Sequence, residues 1–258
     1  MRPMEKRVVR HLLLAPSLLA LGGWLLSSWL GPGSAWADPG EAERIVHRLA
    51  EQDKRLALRR RQFDYDLLIV REKLDADRRV VSESKERQVV YADRAPDYGS
   101  RPEKGPEGET AKAAQEEPFE VLNLIDHYFY AMDGSEMVNG VDTYRIRFTP
   151  KPNMPYRNRE EKVCNAVWGH LWVSKEDASL MRNEGFLDHP VSVAWFFARL
   201  YELEFHWESQ QLPNGDWGPK EVRYRYAVHI PFGWLRERVI RQYGDFRYHG
   251  AARRSSIR

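Results

Sequence analysis

Between Tyr201 and Gln211 the chain reads YELEFHWESQQ, and every second residue can do chemistry: Glu202, Glu204, His206 and Glu208. Acids and an imidazole at two-residue spacing share one face of a strand, a geometry able to hold a metal ion or to set an acid beside a base. The returning segment VRYRY brings Arg223 and Arg225. If the chain turns at Asn214-Gly215, Glu204 stands opposite Arg225 and His206 opposite Arg223. Guanidinium groups there oppose a metal cation, and they explain the same acids as cross-strand pairs worth roughly 0.2–1 kcal/mol each. The expectation is a charge ladder, with no metal and no cofactor.

The other reactive residues are scattered. The sequence holds no G-x-S-x-G, no H-E-x-x-H, no phosphate-binding loop and no pair of cysteines. His127, His170, His189 and His229 occur singly and read as packed or surface residues. Cys164, the one cysteine, follows a charged run and opens an apolar segment, so it reads as a buried, inert thiol. No catalytic residue is assigned, and a non-enzymatic role is expected.

These side chains need a sheet to position them. In the register set by Asn214-Gly215, Tyr201, Leu203, Phe205 and Trp207 face Val228, Tyr226, Tyr224 and Val222. One face of the hairpin is apolar and the other charged, as a sheet buried on one side requires. The apolar face is either ordinary core or the lining of an apolar cavity. Glu208 opposite Glu221 sets like charges together, and Pro219 lacks a ladder donor, so the turn end is expected to be bulged.

The remaining elements follow the same logic. Ala42, Ile45, Val46, Leu49, Ala50, Leu56 and Ala57 recur at helical spacing, predicting an amphipathic helix that ends at Arg59-Arg60-Arg61, either a solvated end or an anion site. FDYDLLIVREKLD and RRVVSESKERQVVYA predict two strands joined at Asp75-Ala76-Asp77. Residues 94–117 are rich in Pro, Gly and charge and predict a flexible insertion. Asn139-Gly140 marks a hairpin whose return strand alternates Tyr144, Ile146 and Phe148 with Thr143, Arg145 and Arg147. Another turn is expected near Lys175-Glu176-Asp177, while HPVSVAWFFARL reads as a short helix or a bulged strand. Many short strands with one long helix predict an α+β fold, a large antiparallel sheet on helices.

The N-terminus speaks of address. Lys6, Arg7 and Arg10 precede the apolar run from Leu12 to Leu30, which closes in Ala35-Trp36-Ala37. This is the pattern of a signal peptide over residues 1–37, the alternative being an uncleaved membrane anchor. The segment carries four basic residues, Arg2, Lys6, Arg7 and Arg10, and one acid, Glu5, so its removal takes the net charge from +2 to −1. A near-neutral remainder gives no electrostatic reason to expect nucleic acid. No second run is long enough to span a bilayer, and one cysteine permits no intramolecular disulfide. A soluble periplasmic protein with a single domain over residues 38–258 is the expectation.

The segments NGVDTYRIRFTPKP, VWGHLWVSKEDASLMRNEG, NGDWGPKEVRYRY and QYGDFRYH resemble exported bacterial proteins of the outer-membrane lipoprotein-sorting superfamily, which includes LolA-like, LolB-like and RseB-like members. The resemblance covers roughly Asp38 to Tyr248 and consists of strand and turn punctuation. It implies a strongly curved, open antiparallel sheet, a half-barrel, wrapped over helices with an apolar cavity between. It further implies lipid or lipoprotein acyl chains as ligand, or another envelope protein as partner in sensors of the RseB type. In such a cavity Tyr144, Ile146, Phe148, Leu203, Phe205, Trp207, Tyr224 and Tyr226 are the candidate ligand-binding residues. N-terminal sequencing of the exported chain is expected to read Asp38 first; a start at Met1 would show a retained anchor.

Overall fold

A computed structural model describes residues 39–92, 125–194 and 198–249; the expected signal peptide over residues 1–37 and the expected 94–117 insertion lie outside the described residues. The helical spacing produces α1 (Pro39–Arg60), with proline at its first position, Glu41 in its first turn and Arg59 and Arg60 in its last. Ala42, Ile45, Val46 and Leu49 are buried along one stripe. Burying each of the larger three contributes roughly 1.5–3 kcal/mol. Arg59 pairs with Asp216 at 2.9 Å and Arg60 Nε donates to the Trp217 carbonyl at 3.1 Å, so the basic helix end is tied to protein.

The strands are β1 (Phe63–Leu74), β2 (Val80–Val90), β3 (Tyr128–Val138) and β4 (Val141–Pro150). After a short helix α2 (Arg159–Cys164) come β5 (Val167–Ser174), β6 (Leu180–Leu187), β7 (Val191–Ala194), β8 (Ala198–Gln211), β9 (Trp217–Ile230) and β10 (Gly233–Tyr248). They form one sheet in the order β2-β1-β10-β9-β8-β6-β5-β4-β3, with β7 paired to β8. Every pairing is antiparallel. The sheet is curved and does not close: β2 and β3 are its two ends. This is the α+β, open half-barrel architecture expected.

α1 packs on β3, β5 and β9, and its C-terminus reaches the β8–β9 turn, so it crosses the sheet over a length of about 33 Å. Its stripe shares one core with Tyr128, Ile146, Phe148, Leu171, Leu200 and Phe205. The described residues, from Pro39 to His249, cluster as one compact unit.

The turns follow their residues. Asn139 and Gly140 take φ of 51° and 80°, the positive values that a tight two-residue hairpin turn needs. The Asp75 carboxylate accepts from the Asp77 and Arg79 amides at 2.8 and 2.9 Å, closing the β1–β2 turn. HPVSVAWFFARL resolves towards the strand alternative, as β7 pairing with the start of β8, with residues 195–197 outside the described residues. The short helix lies elsewhere. In α2 the Asn158 side chain accepts from the Glu161 amide at 2.8 Å. Cys164 therefore ends a helix and does not open a strand; this N-cap, inside a charged run, is the signal that strand periodicity overlooked.

Phe205, Gly185, Gly169 and Phe148 lie in one cross-strand row on the inner face. A Cβ on Gly185 would sit 2.0 Å from Cε1 of Phe205, so the ring covers the glycine backbone. Gly185→Ala is expected to lower stability by about 1–3 kcal/mol in urea unfolding. Combining it with Phe205→Leu is expected to cost less than the sum of the two single changes. Additive losses would show that the ring and the glycine are independent.

Candidate ligand-binding face

The register of β8 and β9 decides where each side chain looks. Leu203 stands opposite Tyr226, Phe205 opposite Tyr224 and Trp207 opposite Val222, as the Asn214-Gly215 turn predicts. The register shifts between Leu200 and Glu202, and Val228 pairs with Leu200. Tyr201, expected inward opposite Val228, is the extra residue of this bulge and is exposed on the outer face. A second shift between Glu208 and Ser209 sets Pro219 opposite Ser209, which is the expected irregularity at the turn end.

The eight residues singled out lie on strands that share the inner face, at different depths. Ile146, Phe148 and Phe205 are buried in the core that contains the α1 stripe, and Tyr144, Leu203, Tyr224 and Tyr226 are half-buried against it. Trp207 is half-buried and donates from Nε1 to Ser209 Oγ at 3.1 Å. Tyr224 and Tyr226 stack with centroids 6.4 Å apart, and the Tyr226 hydroxyl donates to Glu237. Tyr224 also packs on a second cluster, Leu67, Ile69 and Val239, with Tyr65, Val90 and Tyr243 around it. The inner apolar surface thus continues from β4 beneath α1 to β1. Sequence reading overlooked the β1 and β10 share of it. Its signal was the pairing of Leu67 with Tyr243 and of Ile69 with Arg241, visible only once β1 is known to neighbour β10. The Arg241 guanidinium lies over the Tyr224 ring at 5.9 Å, setting a buried cation beside the aromatic surface.

The outer face carries the charge ladder. Glu204 pairs with Arg225 as expected, and Arg225 also holds Glu202 at 3.0 Å. His206 departs from expectation. It lies opposite Arg223 in register, but its Nδ1 meets Glu184 of β6 at 3.3 Å, while Arg223 turns to Glu221 at 2.6 Å. Glu208 meets Lys220 at 3.4 Å, so the facing carboxylates Glu208 and Glu221 each have a cation beside them. Among the described residues no three His, Cys, Asp or Glu side chains stand where they could share a metal ion. A separate cleft of about 360 Å³ between α1 and the β5–β6 turn is lined by His47, Arg48, Glu51, Arg55 and residues 174–178. Most of its lining residues are charged or polar types, and it is distinct from the aromatic face.

Cys164 is buried beside the Tyr128 hydroxyl, which donates to the Cys164 carbonyl at 2.7 Å. Burial, with the nearby Glu161 and Glu160 charges, pushes its thiol up to about 12. The Glu161 carboxyl is held below its ordinary value because the Arg157 side chain and amide both donate to it.

No protein-family model and no curated protein matches the chain. Among solved structures it is similar to a DUF1329 family protein from Desulfovibrio piger, at 13% identity over 83% of this chain and 95% of that one, with a TM-score of 0.35. A putative outer membrane lipoprotein-sorting protein domain from Vibrio parahaemolyticus matches at 10% identity over 80% and 94%, with a TM-score of 0.32. The MucA/MucB complex structure of Pseudomonas aeruginosa matches at 11% identity over 81% and 99%, with a TM-score of 0.27.

The Cys164 environment carries a chemical prediction. The thiolate is the reactive form, so a disulfide reagent at pH 8 is expected to label the folded chain far more slowly than the urea-unfolded chain, whose thiol returns to about 8.5. Because the folded chain holds this proton more tightly, its contribution to stability is present below that value and lost as the pH climbs towards 12. Equal labelling rates folded and unfolded would place the thiol in solvent.

Proposed function

We propose that this chain is a non-enzymatic binding or carrier protein of the bacterial envelope for an apolar, acylated ligand, a lipid or a lipoprotein. The observation that carries the reading is the continuity of the inner face. Apolar and aromatic side chains run from Ile146 and Phe148 through Leu203, Tyr224 and Tyr226 to Ile69 and Val239, with Tyr224 belonging to both clusters. An acyl chain gains about 0.8 kcal/mol for each methylene it buries, and only an extended apolar surface supplies that. The ion pairs of the outer face are mutually satisfied and offer no reaction. The export signal and the near-neutral charge of residues 38–258 fit the periplasm, and no helix among the described residues is long and apolar enough to cross a membrane.

A second reading is a protein-docking or stress-sensing module of the RseB type. The open sheet favours it: among the described residues β2 is paired on one side only, to β1, and it is exposed along most of its length, so a partner strand could add there.

Lipid extraction and mass spectrometry of the exported protein are expected to recover an acylated molecule. After delipidation, residues 38–258 are expected to bind the fluorescent apolar probe 1-anilinonaphthalene-8-sulfonate. Leu203→Gln with Tyr226→Ser is expected to weaken that binding about tenfold, or ~1.4 kcal/mol, while Glu204→Gln on the outer face leaves it unchanged. Absence of both extracted lipid and probe binding would remove the carrier reading and leave the docking one.

A further inference from the structure

We propose that the β9–β10 hairpin tip is a membrane-docking element that sets Phe232 into the interfacial zone of an anionic lipid bilayer. Ile230 pairs with Gly233, so Pro231 and Phe232 alone make the turn. Phe232 is 98% exposed, a large apolar side chain carried out into solvent on the tip of a stiff ribbon. Below it, Trp234, Leu235 and Tyr201 are also exposed. Trp234, His229 and Tyr201 form one aromatic group on the outer face: the Trp234 centroid lies 5.0 Å from His229 and 5.1 Å from Tyr201. The bulge that turned Tyr201 outward completes this group.

Two cations frame it. The Arg236 guanidinium lies 4.5 Å from the Trp234 centroid and that of Arg199 5.5 Å from Tyr201. The nearby carboxylates are engaged elsewhere: Glu202 with Arg78 and Arg225, and Glu237 with the Tyr226 hydroxyl. Among the described residues no carboxylate lies within ion-pairing distance of Arg199 or Arg236.

The shape and charge select the occupant. A protein partner needs a pocket complementary to a projecting ring, whereas a fluid bilayer accepts a single projecting side chain without one. Tryptophan and tyrosine suit the headgroup level, arginine snorkels to phosphates, and each cation near an anionic surface adds attraction that salt screens. The order along the hairpin, an apolar tip, then amphipathic rings, then arginines, is the order of those depths.

The test uses residues 38–258, which contain the whole of the compact unit. Co-sedimentation is measured with vesicles of phosphatidylglycerol and phosphatidylethanolamine in equal parts, and with phosphatidylcholine alone. Binding is expected on the anionic vesicles, weakening with salt. Phe232→Asp is expected to reduce it at least tenfold, and Arg199→Gln with Arg236→Gln about tenfold with loss of the salt dependence. Met137→Asp, at another exposed apolar residue beside the β3–β4 turn, is expected to change nothing. Unchanged urea midpoints establish that the variants fold. Failure of the wild-type chain to bind anionic vesicles, or Phe232→Asp binding as well as wild type, overturns the proposal. Probe binding measured without vesicles stands apart, so this result and that of the inner face separate.

Discussion

The seating of one apolar helix stripe on one face of the sheet is the constraint from which the rest follows. Ala42, Ile45, Val46 and Leu49 have no other place to be buried, and they share their core with residues of β3, β4, β5 and β8. Once α1 lies across those strands, the inner and outer parity of each is determined, since a one-residue slip would carry every apolar side chain to solvent. The Phe205 ring over Gly185 then sits beneath the helix, and the Glu and His positions of β8 face away from it.

The ion pairs of the outer face specify more than they stabilise. Most of the pairs are partly exposed, so each contributes at the scale of a surface pair. Their value lies in register. Arg225 between Glu202 and Glu204, and His206 against Glu184, link β9 to β8 and β8 to β6 in one alignment. The charged outer residues of β2 serve a related end, since they restrict which strands its long open edge can accept.

Much of this was legible in the sequence because period, turn chemistry and burial agreed. Asn139-Gly140 and Asn214-Gly215 identified two hairpins, and the second placed Leu203, Phe205 and Trp207 opposite their partners. The α1 stripe was readable for the same reason. What escaped was non-local. That β1 lies beside β10, bringing Leu67 and Ile69 to Tyr243 and Val239, has no trace in either segment alone. The turning of His206 to Glu184 depends on β6 lying next to β8. Tyr201 was misplaced because a strict alternation carries no mark of a bulge, and α2 because a six-residue helix is too short to show a period.

The bulge at Tyr201 therefore acts as a phase shifter between two codes written on one hairpin. On its turn side the odd positions of β8 look inward, and on its other side Leu200 does. The two ends are thereby uncoupled. Substitutions that tune the exposed aromatic end need not propagate into the packed interior, so that end is free to diverge in sequence while the helix-bearing half stays under the constraint of its core.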